Sequence, residues 1–308
     1  MTDFNFAVMT DSHLRLDATE GDYWNKNLWG LSADILTAAV DAINALSVDF
    51  AIHCGDLTDR SDSASCRRAA AILSRLNCPC YFVPGNHDTY HPSTRSQLAE
   101  LFGLPAPVFY RAFRVGGWRM LLIDSAYWVY RDGSVKGHYN RSAPDEVTAI
   151  CVPDFELDWL REELEGDGSV PTICFTHLAM AMRRQYPVGT MPHGKPVEER
   201  PVTFSPDSDT PWGRSLKGML KKAPGVKAFF YGHRHFHDCL IEDGILYCQT
   251  GALIEYPNEL RRVRVSDGGI NIETVPLLDG AFAERSYLPK WNNRWVAGRP
   301  EDRVRSHR

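Results

Sequence analysis

Six short runs rich in Val, Ile, Phe and Tyr punctuate the first three quarters of the chain, and five of them end in a cluster of Asp, Asn or His. The runs are Phe4 to Met9, Asp49 to Cys54, Cys80 to Val83, Met120 to Asp124, Thr172 to Thr176 and Lys227 to Tyr231. Their length and β-branched or aromatic content predict strands. Stretches with helical spacing separate them: Ser32 to Leu46, Ser63 to Leu76, Ser93 to Phe102, Pro153 to Glu165 and Pro211 to Lys222. Strands alternating with helices give an α/β fold, and in such folds ligands bind beyond the carboxyl ends of the strands. The polar clusters sit at those ends.

After Phe229 the helical spacing stops and hairpin rhythm takes over, with strands expected over Asp238 to Glu242, Ile245 to Gln249, Leu260 to Val265 and Ile270 to Val275. Asp243-Gly244 and Asp267-Gly268-Gly269 supply the turns. The second half therefore predicts a mostly antiparallel sheet, and two sheets face to face with helices outside accommodate both halves. Leu14 to Gly30, Ala126 to Val152 and Leu178 to Thr210 read as irregular, and long irregular loops in a compact domain usually carry function. No repeat or linker marks a second domain: residues 1–280 read as one catalytic domain. Residues 281–308, with Tyr287, Trp291 and Trp295, read as an extension packing on the body or on a partner subunit.

Net charge excludes one class of partner. At −5 the chain lacks the basic face that affinity for a nucleic-acid polymer requires. Arg261, Arg262 and Arg264, and Arg299, Arg303, Arg305 and Arg308 in the tail, read as a solvated face or subunit contact. The start lacks a charged n-region and apolar h-region, and no run of about 18 apolar residues occurs, so a cytoplasmic, non-membrane protein is expected. Eight cysteines are scattered without zinc-type pairs; Cys54, Cys174 and Cys248 lie in apolar runs, and Cys78-Pro79-Cys80 reads as a bend.

The polar clusters are Asp11-Ser12-His13, Gly55-Asp56-Leu57-Thr58-Asp59, Gly85-Asn86-His87-Asp88, Thr176-His177 and Gly232-His233-Arg234-His235. Alone, each also describes an ordinary turn, a helix cap or a buried histidine. Together they supply carboxylate oxygens, an amide oxygen and several imidazoles at five strand ends. Mixed N and O donors suit Zn, Mn or Fe, whereas Mg and Ca favour oxygen alone. Two such ions sharing a carboxylate, about 3.5–4 Å apart, serve in-line displacement at phosphorus: they acidify a bridging water and clamp phosphate oxygens. A nearby His can protonate the leaving alkoxide.

This set of motifs, spanning roughly Phe4 to Gly251, resembles the signature of the calcineurin-like metallophosphoesterase superfamily. It is most similar to the bacterial cyclic nucleotide and glycerophosphodiester phosphodiesterase branch. The resemblance implies a four-layer αββα double β-sandwich with flanking helices. It further implies that Asp11, His13 and His235 hold one metal, that Asn86, His177 and His233 hold a second, that Asp56 bridges them, and that His87 is the non-ligating acid or phosphate binder. Where phosphatases of the superfamily have Asp-Arg-Gly, this chain has Asp59-Arg60-Ser61, so Arg60 reads as a surface residue before it reads as a phosphate contact. His237 continues the alternation of His233 and His235 and is expected behind the ligands or at the surface; His53 is expected in the core or behind the ligands.

Tyr23, Trp24 and Trp29, and Tyr127, Trp128 and Tyr130, lie in the loops expected to frame the site. Either they pack those loops or they stack on a nucleobase, at roughly 1–3 kcal/mol per base; stacking would favour a cyclic nucleotide over a glycerophosphodiester. Tyr186 to His193 is a lid candidate. The expected function is a dinuclear phosphodiesterase acting on small diesters, 3',5'-cyclic nucleotides foremost, by attack of a metal-bridging hydroxide. The alternatives are a phosphomonoesterase, protein phosphatases included, a glycerophosphodiesterase and, last, a non-catalytic scaffold. A homo-oligomer is expected from the Trp- and Arg-containing tail.

Overall fold

The computed structural model describes residues 2–19, 26–183, 185, 186, 202, 203, 206–277, 280–288 and 293–307. Tyr23, Trp24, Trp291, Arg308 and residues 187–193 of the lid candidate lie outside them. Strand β1 (Phe4–Met9) pairs in parallel with β2 (Phe50–His53), and β2 with β3 (Cys80–Phe82). Helix α1 (Ser32–Leu46) links β1 to β2, and α2 (Ser63–Leu73), capped by Asp62 on the Ser65 N–H at 2.8 Å, links β2 to β3. α3 (Thr94–Leu101) follows β3. A second sheet grows from β4 (Arg111–Val115), β5 (Trp118–Leu122), β9 (Thr172–Phe175), β12 (Val226–Tyr231), β13 (Asp238–Glu242) and β14 (Ile245–Gln249). Its helices are α4 (Asp154–Gly166) and α5 (Pro211–Lys222).

Strand alternation builds the layers. Phe4, Phe6 and Val8 of β1 point into the cluster between the sheets, where Met120, Leu122, Ile173, Phe175, Ala228 and Phe230 meet them. Ala7 and Met9 point the other way, onto Leu36, Ala39, Val40 and Ile43 of α1. On the far side Leu121, Cys174, Phe229 and Tyr231 pack against Leu157, Leu160, Leu216 and Leu220 of α4 and α5. Three apolar interfaces mean four layers, a double β-sandwich with helices outside. Each fully buried Phe or Leu contributes about 1.5–3 kcal/mol.

The assignment of chain halves to sheets differs from the sequence expectation. The hairpin β15 (Glu259–Ser266) and β16 (Gly269–Pro276) leaves the second half and joins the first sheet, β15 lying antiparallel to β1 with Phe6 opposite Val263. A last strand, β17 (Val304–His307), adds to β16. The orders are β17-β16-β15-β1-β2-β3 and β13-β14-β12-β9-β5-β4, so both sheets are mixed. A period-two pattern specifies which face is buried, but not the neighbour.

Ala126 to Val152 is also more regular than expected. It carries β6 (Tyr127–Tyr130), β7 (Val135–Lys136) and β8 (Val147–Cys151), a small antiparallel sheet. Within the irregular stretch after His177, β10 (Gln185–Tyr186) pairs with β11 (Val202–Thr203). In the tail, α6 (Ala281–Ser286) and α7 (Pro300–Arg303) precede β17, the edge of the first sheet. Arg261, expected on a solvated face or subunit contact, is instead fully buried and donates to the carbonyls of Asp302 and Gln249. Arg262 and Arg264 pair with Glu273, and Arg303 grips Glu259 with two bonds of 2.7 and 2.6 Å. Among the described residues no helix is long and apolar enough to cross a membrane.

Candidate metal centre

β1, β2 and β3 of one sheet and β9 and β12 of the other end at the same rim, and the five polar clusters leave from those ends. Asp11, His13, Asp56, His233 and His235 all adopt positive φ, five of the nine non-glycine residues that do so in the described chain. Each such residue costs on the order of 1 kcal/mol, a strain that surrounding structure must hold in place. The packing is close. A Cβ on Gly55, itself at φ +90°, would stand 2.6 Å from His177 Nδ1, and one on Gly232 would collide with Thr10 and Asp11.

The seven side chains that the sequence resemblance nominates fall into two groups that share Asp56. His13 Nε2 stands 3.3 Å from His235 Nε2, 3.8 Å from Asp11 Oδ1 and 3.5 Å from Asp56 Oδ2. His177 Nε2 stands 3.4 Å from the same Asp56 Oδ2, 3.1 Å from Asn86 Oδ1 and 3.2 Å from His233 Nδ1. One carboxylate oxygen therefore faces both groups. Asp11–His13–Asp56–His235 and Asp56–His177–His233 each meet the spacing of a metal-holding set.

Neighbouring bonds decide which atom of each residue faces inward. Asp11 Oδ2 accepts from Thr10 Oγ1 (2.7 Å) and the His233 N–H (2.9 Å), leaving Oδ1 buried and turned to the cluster, 3.2 Å from His235 Nε2. Asp56 Oδ1 accepts from the His87 N–H at 2.8 Å, which frees Oδ2. His177 Nδ1 donates to the Cys54 carbonyl at 2.9 Å, and His235 Nδ1 lies 2.5 Å from Glu255 Oε1, so both rings turn Nε2 inward. His13 Nδ1 is held by Asp59 Oδ1 at 3.1 Å, beside the buried Lys26 ammonium. Buried carboxylate oxygens turned toward convergent imidazole nitrogens fit a pair of borderline transition-metal ions.

Charge within the cluster is distributed unevenly. Burial opposes ionisation of His177 and His235, but Asp56 and Asp11 outweigh it for the first, raising it to about 9, and Glu255 and Asp11 for the second, raising it to about 10. Burial, with neighbouring cations, drives His13 and His233 well below the ordinary histidine value. Asp56, though buried, is held below its ordinary range by His177 and His87. Asp88 closes the floor: its carboxylate accepts from the N–H groups of Leu57, Thr58 and Gly85 at 2.8–3.0 Å.

His87 belongs to neither group that shares Asp56. Its Nδ1 lies 2.8 Å from the Asp59 carbonyl oxygen, which assigns the proton to Nδ1 and turns Nε2 outward, and its ring stands 4.6 Å from that of His13. Burial, the largest cause, places its pKa below the ordinary value, against the pull of Asp56 and Asp59.

Residues 4–237 match the family model for calcineurin-like phosphoesterases. The chain belongs to that family. Metal-dependent phosphoester hydrolysis is accordingly its class of chemistry. The phosphoesterase is 27% identical over 174 residues to a probable cyclic nucleotide phosphodiesterase of Synechococcus sp., a match covering 56% of this chain and 57% of that protein. It is 24% identical over 229 residues to the 3',5'-cyclic adenosine monophosphate phosphodiesterase of Escherichia coli K12, covering 74% of this chain and 68% of that one. In fold it resembles a dimetal phosphatase from Danio rerio, with a TM-score of 0.62 at 17% identity over 90% of this chain and 97% of the other.

Other residues nominated from sequence fall elsewhere. Arg60 extends to the surface towards Asp17 and Asp59. His237 is buried rather than superficial, its Nδ1 accepting from the Gly251 N–H at 3.0 Å, and His53 is buried with Nε2 3.0 Å from Ser12 Oγ. Trp29 packs in its own loop, its indole N–H donating to the His13 carbonyl at 3.0 Å. Trp128 and Tyr130 are buried, and Tyr127 lies under Arg95, so none of the three offers a free stacking face. Lys26, Asp59 and Glu255 support the ligands, a role that sequence reasoning misses. Only Asp59 carries a signal, its place inside a recognised motif; Lys26 and Glu255 reach the centre from loops with no motif of their own.

Proposed function

We propose that this phosphoesterase hydrolyses small phosphodiesters, 3',5'-cyclic nucleotides being the first class to test. Asp11, His13 and His235 would hold one transition-metal ion (Mn, Fe or Zn) and Asn86, His177 and His233 another, with Asp56 Oδ2 between them. The observation that carries the reading is that single oxygen, 3.5 Å from His13 Nε2 and 3.4 Å from His177 Nε2. Two ions so placed acidify a water at neutral pH and neutralise charge on the phosphate oxygens. The chain's own part is to hold the donors rigid: Glu255 and Asp59 orient two imidazoles, and the Cys54 carbonyl a third.

His87 is the proposed acid. With Nδ1 committed to the Asp59 carbonyl, Nε2 is the atom that exchanges a proton with the leaving oxygen. The preference for diesters, and for cyclic nucleotides among them, draws support from the names of the two bacterial relatives. A cytoplasmic location, a small-molecule substrate rather than a nucleic-acid polymer or a membrane, an extension boundary near residue 280 and a homo-oligomer belong to the same proposal. Sedimentation as a monomer would remove the last of these.

The test compares bis(p-nitrophenyl) phosphate with p-nitrophenyl phosphate in the presence of Mn, with Asn86→Ala as control. Diester turnover that depends on metal and drops about 100-fold or more in the variant is expected, in line with loss of a metal ligand. A monoester preference would replace this reading with a phosphatase, and no turnover of either ester would sink it.

A further inference from the structure

The small sheet β6–β8 is fixed to the His87 turn at several points. The Tyr139 N–H donates to the Thr89 carbonyl at 2.8 Å, and Trp128 Nε1 donates to Thr89 Oγ1 at 2.9 Å. Arg95 ties down the ends of the segment by donating to the Ala126 carbonyl at 2.8 Å and the Gly137 carbonyl at 2.7 Å. Pinned in this way, Trp128 and Tyr139 bring their rings to 6.0 and 5.5 Å from Tyr90. Tyr90 in turn stands 5.0 Å from the His87 ring.

Over the Tyr90 ring, at 5.3 Å, lies the Arg141 guanidinium. The side chain is exposed, and among the described residues no carboxylate, carbonyl or hydroxyl pairs with it. Arg60, the sequence candidate for a phosphate contact, sits beside Asp17 and Asp59. Arg141 thus combines an uncommitted cation with a place on the His87 side of the centre. The Tyr90 ring touches both, 5.3 Å from the guanidinium and 5.0 Å from the His87 ring, so Arg141 lies within about 10 Å of His87. A charged group on the arm that His87 would protonate can span that distance.

We infer that Tyr90 and Arg141 form the subsite for the leaving arm of the diester, and that Arg141 selects arms carrying a second anionic group such as a carboxylate or phosphate. The inference rests on the diesterase reading and narrows it. A cyclic nucleotide has no second anion to offer Arg141, so the subsite ranks the other diesters by the charge of their leaving arm.

The experiment uses two methyl aryl phosphates whose aryl leaving group carries either a carboxylate or its methyl ester, assayed with the metal-loaded full chain. The ratio of kcat/KM for the two, compared between wild type and Arg141→Ala, cancels their intrinsic reactivities. The ratio should fall about three- to fivefold in the variant, the worth of one partly exposed charge pair. Arg141→Lys should recover part of it, and Tm should stay unchanged. An unchanged ratio, or an equal loss on both esters, overturns the subsite. Absence of turnover of both esters in the wild type overturns the diesterase reading along with it, whereas wild-type turnover with an unchanged ratio overturns this inference alone.

Discussion

Two buried polar constellations lie within the same sandwich and resolve their charge in opposite ways. At the strand ends Asp11 is held below its ordinary carboxylate range by His235 and His177 despite burial, its Oδ1 standing 3.2 Å from His235 Nε2. Behind the small sheet, Arg95 clamps Asp124 with bonds of 2.5 and 3.3 Å, and Glu156 Oε1 accepts the Asp124 N–H at 2.6 Å. Glu156 Oε2 is without a hydrogen-bond partner, and burial and Asp124 push that carboxyl well above its ordinary range. A buried carboxyl without a partner either keeps its proton or awaits a cation. Backbone strain separates the constellations as well: five residues with positive φ lie at the first, and neither Arg95, Asp124 nor Glu156 is among the described residues with positive φ.

The largest test of this contrast removes the internal cation of the second constellation. Arg95→Leu should cost about 3–5 kcal/mol in denaturant unfolding, because Asp124 would stay buried without compensation. A cost under about 1 kcal/mol, within the range of an ordinary surface change, would mean that Arg95 is not what neutralises the pair. Next comes the support of a candidate ligand: Glu255→Gln keeps an acceptor for His235 Nδ1 but removes its charge. Titration calorimetry with Mn or Zn should show affinity reduced about 10- to 100-fold with little change in the metal-free Tm. Unaltered affinity would detach Glu255 from the centre.

The smallest effect concerns pH. A carboxyl whose folded pKa lies above its unfolded value, about 4.3 for Glu, binds its proton more tightly when folded. The stability this lends is full below the unfolded value and fades as pH rises through the folded one. Glu156→Gln mimics the protonated form permanently and keeps the acceptor for Asp124. The variant should therefore match wild type near pH 4 and exceed it progressively towards pH 8. Parallel stability curves for the two proteins across that range would show that Glu156 is not the group holding the proton.

Legibility from sequence follows distance along the chain. The bounds expected for β1, α1, α5, β13 and β14 agree with those observed, because apolar periodicity is a local property. The strand Arg111–Val115 has no counterpart among the expected strands, since its Arg-Ala-Phe-Arg-Val sequence leaves only partly buried or exposed residues. The sheet around Tyr127 and Cys151 reads as irregular loop in the sequence, its strands being short and separated by Gly, Asp, Asn and Ser. Arg261 looks like part of a basic surface, because nothing in its neighbourhood announces the carbonyl of Asp302 above it.

The sequence by itself determined the strand and helix grammar, the side-chain types at five strand ends and, through their joint occurrence, the family. Tertiary structure decided which sheet each strand joined and which oxygen of Asp11 and Asp56 turned inward. It also decided that Glu255 and Lys26 stand beside the centre and that Arg60 turns toward Asp17 and Asp59. The reason is physical: His13 and His235 are 222 residues apart and meet at 3.3 Å. A local pattern specifies what a side chain can donate or accept, and only the packing of two sheets on one rim specifies what it faces.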